Sequence, residues 1–385
     1  MTRRFRSERL SSTSKVPSRS IANAFNLSDI QIDTSGCTSK DGKVAQRSIR
    51  EKIMGEQSWL SLVQEEILQP DLSICDPHHH LWDRNGSRYL LDEILDDVYT
   101  GHRVVSTVFV ECDSMFRADV AKALAPVGET EFVQGVAAMS SSGAYGDCRV
   151  AAGIVSFADL TLGAQVRPVL EAHIAASVNR FRGIRHAASW HNSPDIRISH
   201  SDPVEHQMLQ DDFMEGFNVL GDLGLTFDAW CYHTQIDEFT QLAKANPTVT
   251  IVLDHFGGPL GIGPYEGKQV EVFKAWQQSI EALKDCSNVH FKLGGINMKI
   301  NGFGWHKRAL PASSDELVDK TAPYYEFCID TFGADRCMFE SNFPVDKESV
   351  SYPVLWNAFK KMSQSRTVSE KEKLFHDTAA RVYRI

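Results

Sequence analysis

The chain has 385 residues, 42% hydrophobic, 23% charged and 10% aromatic, an ordinary globular composition that excludes wholesale disorder, collagen-like repeats and coiled coil. Its formal net charge of −10 argues against a general nucleic-acid binder, although a local basic pocket can still take an anionic substrate. No apolar run approaches the roughly 18 residues of a bilayer-spanning helix, so the expected partner is a small molecule rather than nucleic acid or membrane.

Residues 1–47 begin MTRRFRSERLSSTSKVPSRS, rich in Arg and Ser and nearly free of acids. They read as a disordered solvated tail or as a mitochondrial presequence, which shares this bias. Residues 48–70 read as a helical extension: Ile53, Leu60, Val63 and Ile67 fall at helical spacing, and Pro70 closes the segment. From residue 71 short apolar β-rich runs alternate with helical stretches. The runs are 72–80, 104–112, 149–157, 180–186, 225–233, 249–257, 289–295 and 336–344. They are continuously apolar rather than alternating, as strands of a helix-covered parallel sheet are. Helices are expected at Gly163–Asn179, Gln207–Leu223, Ile236–Asn246, Val270–Cys286 and Asp315–Phe332, and residues 132–139 read as helix rather than a ninth strand. Eight strands with interleaved helices over 71–385 predict an α/β fold, a (β/α)8 TIM-type barrel. A doubly wound open sheet is the alternative, but no Gly-rich phosphate loop follows the first run. The eight Cys include no Cys-x-x-Cys pair and several lie inside apolar runs, which predicts small buried thiols in a reducing compartment such as the cytoplasm.

Active sites of such barrels lie at the carboxyl ends of the strands. Strand one ends in Asp76, His78, His79 and His80, strand two in Glu111, and strand four in Arg185 and His186. Strand five ends in Trp230 and His233 and strand six in Asp254 and His255; strand seven carries Lys292, and strand eight Glu340, Ser341 and Asn342. Residues i and i+2 of a strand share a face, so His78 and His80 point one way together and His79 the other. Two imidazoles on one inward face suit a shared metal or a shared substrate oxygen. His233 and His255 occupy the same register at other strand ends. Lys292 is a catalytic electrophile or a snorkelling lysine. Arg182 and Arg185 are candidates to clamp a substrate carboxylate, although strand alternation sets them on opposite faces. Glu111 is expected to support a ligand, by holding a histidine tautomer or pairing an arginine, and His173 and His376 to be structural or solvated.

The pieces DPHHHLWD, FRGIRH, FDAWCYH, VLDHFGGP, FKLGG and FESNFPVDK, in this order, resemble the amidohydrolase superfamily. More closely, they are similar to its amidohydrolase-2 (amidohydrolase-related) branch, which includes 2-pyrone-4,6-dicarboxylate lactonase and fuconolactonase. The resemblance covers residues 71–385. It implies a distorted barrel that opens a ring ester, with His78, His80 and His233 either holding a divalent metal such as Zn2+ or binding the carbonyl directly, and with His255 at the strand-six position. The strand-eight position, where the family carries a water-activating Asp, is Asn342 here. An amide is no general base at neutral pH. Either the base lies elsewhere, with Glu340, Asp346 or a histidine as candidates, or Asn342 orients a metal-activated water, or hydrolase activity is lost. The resulting expectation is a lactonase-like hydrolase in which His78, His80 and His233 polarise the carbonyl, Arg182 or Arg185 anchors a carboxylate, and Trp82, Trp190 and Trp230 form an apolar wall. A nonoxidative decarboxylase and a non-catalytic binding protein are the alternatives.

Overall fold

The computed structural model describes Gly55, residues 58–84 and residues 86–385. The Arg/Ser-rich segment 1–47, Cys37 within it, and Ile53 lie outside the described residues. Every one of the eight apolar runs contains a strand of a single parallel sheet: β1 (Ser73–His79), β4 (Arg103–Val110), β5 (Arg149–Ser156), β6 (Phe181–Arg185), β7 (Thr226–Ala229), β8 (Ile251–Leu253), β9 (Val289–Leu293) and β10 (Cys337–Phe339), in that spatial order. A small antiparallel pair, β2 (Trp82–Arg84) and β3 (Ser87–Tyr89), follows β1 outside the sheet. The ring is joined between β1 and the residues just past β10. The His80 amide donates to the Phe343 carbonyl at 2.8 Å and the Asn342 amide to the His78 carbonyl at 3.0 Å. The fold is a TIM-type barrel, and its seam sets Asn342 beside His78.

Period-two alternation sorts the strand side chains. Val108, Val110, Val155, Val252 and Met338 form one apolar cluster in the lumen, while Phe109, Ile154, Ile251, Leu253 and Phe339 pack outward into the larger core beneath the helices. Val382 and Tyr383 of the last helix (Thr378–Tyr383) join the lumen cluster and plug its floor. The same parity turns Arg185, Asp228, Lys292 and, just past their strands, Asp254 and Glu340 inward. In β1 the ladder to β4 shifts between Asp76 and His79. Asp76, next to lumen-facing Cys75, turns outward to the Tyr352 hydroxyl (3.0 Å), and the bulge after it resets the alternation so that His78 turns inward.

The helices between strands lie where expected, at Arg167–Ala176, Asp211–Asp222, Ile236–Ala245, Gln269–Glu281 and Ser314–Phe332, and 132–139 falls within the helix Val127–Ser141. The helix expected across 48–70 is a correction. Among the described residues of this span Gly55 and Ser58–Leu60 are helical, and 61–70 run as turns and irregular chain. Local spacing is overridden there by tertiary bonds: the Leu68 amide donates to Asn357 Oδ1 (3.0 Å), and Lys360 Nζ donates to the carbonyls of Leu68 (2.7 Å) and Gln69 (2.8 Å). The seven described cysteines are free and buried. No helix among the described residues is long and apolar enough to cross a membrane.

Candidate active site

The polar residues at the carboxyl ends of the strands converge. Lys292 Nζ, fully buried, lies 2.5 Å from Asp228 Oδ2, 3.1 Å from Asp254 Oδ1 and 3.1 Å from His78 Nδ1. Burial disfavours its charge, but the carboxylates of Asp228 and Asp254 outweigh burial and hold the ammonium protonated. Tyr383, from the far end of the chain, donates to Asp228 Oδ2 at 2.6 Å and locks that pair from below. Arg185 donates from Nε to Glu111 Oε1 (2.7 Å) and from Nη2 to the Glu111 carbonyl (2.7 Å), and its Nη1 lies 3.3 Å from Asp254 Oδ2. Glu111 also meets His200 Nε2 at 3.0 Å, and its charge raises the His200 pKa.

Above this charge cluster sits a histidine–carboxylate pair. His255 Nδ1 is 2.6 Å from Glu340 Oε1, and His78 Nδ1 is 2.9 Å from Glu340 Oε2. Burial alone would raise the Glu340 pKa, yet the two facing imidazoles, His255 first, hold it at about 2. Glu340 is therefore ionised at neutral pH. When the His255 ring is neutral and its Nδ1–H donates to Glu340, Nε2 carries the lone pair. His255 takes a left-handed backbone (φ 52°) to reach this position. A Cβ on Gly295 would lie 2.1 Å from His255 Nδ1, and one on Gly294 2.2 Å from the Glu340 carbonyl oxygen. The glycine pair of FKLGG is thus what lets the ends of β8 and β10 close on each other.

The other imidazoles split by role. His80 Nδ1 donates to the Val110 carbonyl at 2.8 Å, and burial keeps the ring neutral, so its Nε2 is an acceptor. Its ring lies 4.9 Å from His78, which lies 4.5 Å from His255. Trp82 stacks on His80 at 5.8 Å, and Trp230 meets His255 edge-on at 4.9 Å. Trp82, Trp190 and Trp230 are all partly exposed. His79 points out of the lumen to Thr107 Oγ1 (2.9 Å). His233 packs instead on Tyr265, 5.0 Å between ring centres, and among the described residues it makes no ring contact with the other three. Its Nδ1 accepts the Leu260 amide at 3.3 Å, which leaves Nε2–H as a donor. The Asn342 side-chain amide donates to Asp346 Oδ1 at 3.0 Å, and burial pushes Asp346 up to about 7.

Two expectations are corrected. Arg182 does not join the cluster. It lies at the opening end of β6, where its guanidinium donates to the carbonyls of Phe181 (3.1 Å) and Asn179 (2.6 Å), so of the two arginines only Arg185 reaches the site. The imidazoles expected to share an ion, His78, His80 and His233, are not the set that converges. Among the described residues, His78, Asp254 and His255 offer one donor each within 4.8 Å of one another.

The description "amidohydrolase" belongs to the family model that matches residues 75–385. The chain belongs to the amidohydrolase family. The amidohydrolase is 32% identical over 329 residues to an uncharacterized protein, y4mH, of Sinorhizobium fredii, covering 82% of this chain and 99% of that one. It is 25% identical over 205 residues to the L-fucono-1,5-lactonase of Burkholderia multivorans, covering 53% of this chain and 63% of the lactonase. A crystal structure of an amidohydrolase from Burkholderia multivorans with bound zinc superposes with a TM-score of 0.61 at 21% identity, covering 81% of this chain and 99% of that one.

In this amidohydrolase the triad of His78, Asp254 and His255 has the spacing to hold a metal ion, but two of its three members, His78 and Asp254, are already faced by fixed cations. Both Asp254 oxygens meet one, Oδ1 Lys292 and Oδ2 Arg185, and the two ring nitrogens of His78 lie 3.1 Å from Lys292 and 3.4 Å from Arg185 Nη1. A divalent ion there would sit against two like charges in a low-dielectric site. Lys292 and Arg185 already supply positive charge on the side of the triad formed by His78 and Asp254. Asp228 and Tyr383 were missed by the sequence reading. Asp228 lies inside the strand run that ends in His233, and its inward parity was the available signal; nothing local to Tyr383 marks it.

Proposed function

We propose that the protein is a hydrolase that opens a lactone or similar cyclic ester of a small carboxylated or sugar-like molecule. The observation that carries this reading is the 2.6 Å contact between His255 Nδ1 and Glu340 Oε1. Glu340 fixes the tautomer of His255, whose Nε2 takes a proton from the attacking water, so the carboxylate missing at Asn342 is replaced by a pair built two residues earlier. Lys292 and Arg185 supply the fixed positive potential that favours the developing oxyanion, the Nε2–H of His233 donates to a substrate oxygen, and Arg185 is the remaining candidate to hold a substrate carboxylate. Trp82 and Trp230 wall the ring. When the oxyanion collapses, the protonated His255 returns its proton to the leaving alkoxide.

His80, an acceptor, binds a substrate hydroxyl rather than the oxyanion. Removing it in His80→Ala is expected to raise KM by about tenfold while kcat falls less than about threefold, since a hydroxyl bond is shared by ground and transition states. A loss confined to kcat would instead place His80 on the oxyanion. A screen of small lactones, with products read by mass, tests the reaction class. Gain of one water supports ring hydrolysis, and loss of carbon dioxide from a carboxylated substrate would show a decarboxylase instead.

A further inference from the structure

Arg182, displaced from the cluster, is one of four arginines at the opposite end of the barrel. A cavity of about 330 Å³ opens there, lined by Arg149 at the start of β5, Arg180 and Arg182 at the start of β6, and Arg384. None of the lining side chains is acidic. The four guanidiniums form no ion pair among the described residues; their hydrogen bonds go to neutral oxygens. Arg180 Nη2 donates to Ser141 Oγ (3.0 Å), Arg182 to the two carbonyls named above, and Arg384 Nη2 to the Arg182 carbonyl (3.2 Å). Arg182 Nε is buried with no hydrogen-bond partner among the described residues. Burial and the neighbouring Arg384 and Arg180 lower the Arg182 pKa, the mark of like charges gathered without a counter-charge. Ile385 lines the cavity too.

We propose that this cavity is a second ligand site, for a small compound bearing two phosphate groups or a diphosphate. Guanidinium forks match phosphate oxygens bidentately, and four of them around one cavity suit more than one phosphate group. The volume falls at the lower end of small-molecule pockets, larger than a lone phosphate needs. The site lies at the amino ends of the strands and shares no residue with the histidine cluster.

Titration calorimetry of the full chain with pyrophosphate tests it, beside inorganic phosphate and citrate. Pyrophosphate is expected to bind with Kd of about 10–100 µM, and more weakly as salt is raised. Phosphate and citrate should each bind about tenfold more weakly or less. The double variant Arg182→Gln/Arg384→Gln should lose at least about tenfold in affinity, and Arg384→Gln alone, at an exposed position, about threefold. Absence of binding to the wild type, citrate binding as tightly as pyrophosphate, phosphate binding as tightly as pyrophosphate, or affinity unchanged in both variants would each overturn the assignment.

Discussion

Glu340→Gln is expected to lower kcat by about a hundred- to ten-thousandfold with melting temperature nearly unchanged, because general-base catalysis contributes on that scale. Gln has the same shape, but its amide carries no charge and presents a donor as readily as an acceptor. The variant leaves His255 free to place its proton on Nε2, the wrong nitrogen for accepting one from water. It also removes the anion that stabilises the imidazolium formed as water attacks. Glu340→Asp should recover part of the rate by restoring the charge at a longer reach. A merely structural role would show as lost thermal stability with kcat within about threefold for the folded fraction, and that outcome would remove Glu340 from the mechanism.

Lys292→Met is expected to destabilise the fold by about 3–5 kcal/mol, seen as a melting temperature lower by roughly 5–10 °C. The ammonium is fully buried and is the near counter-charge of both Asp228 and Asp254, so its loss strands Asp228 in the lumen and leaves Asp254 with Arg185 alone. Burial already raises Asp228 to about 6 with the lysine present. Adding Asp228→Asn to Lys292→Met should restore part of the loss, since it removes one stranded charge and keeps an acceptor for Tyr383. Calorimetric melting of the wild type and the two variants measures this. A melting temperature for Lys292→Met equal to wild type would mean that the charge cluster is not what holds the lumen together.

The barrel was legible because its strands are buried on both faces and so read as unbroken apolar runs, all but the third carrying an ionisable residue towards the end. The polar end of each run was equally plain: a lumen wide enough only for side chains forces charged strand ends to meet one another. What failed were features set by long-range contacts. Arg182 and Arg185 sit three residues apart in one strand, about 10 Å along it, which places them at different ends of the barrel. The tautomers of His80, His233 and His255 depend on partners in other segments, namely the Val110 carbonyl, the Leu260 amide and Glu340, so their division into acceptor, donor and base has no local signature. The apolar spacing of Leu60, Val63 and Ile67 suggested a helix, yet bonds to Asn357 and Lys360 pull the chain into turns.

The account rests on His255 accepting the proton of water while fixed cations, not an ion, hold the charge. Its most direct test is pH-stat measurement of acid release from a lactone by wild type and His255→Asn, each after exhaustive treatment with EDTA. The expected result is full wild-type turnover after chelation and a rate at least about a hundredfold lower in the variant. Loss of wild-type activity on chelation, or a variant as fast as wild type, would contradict it.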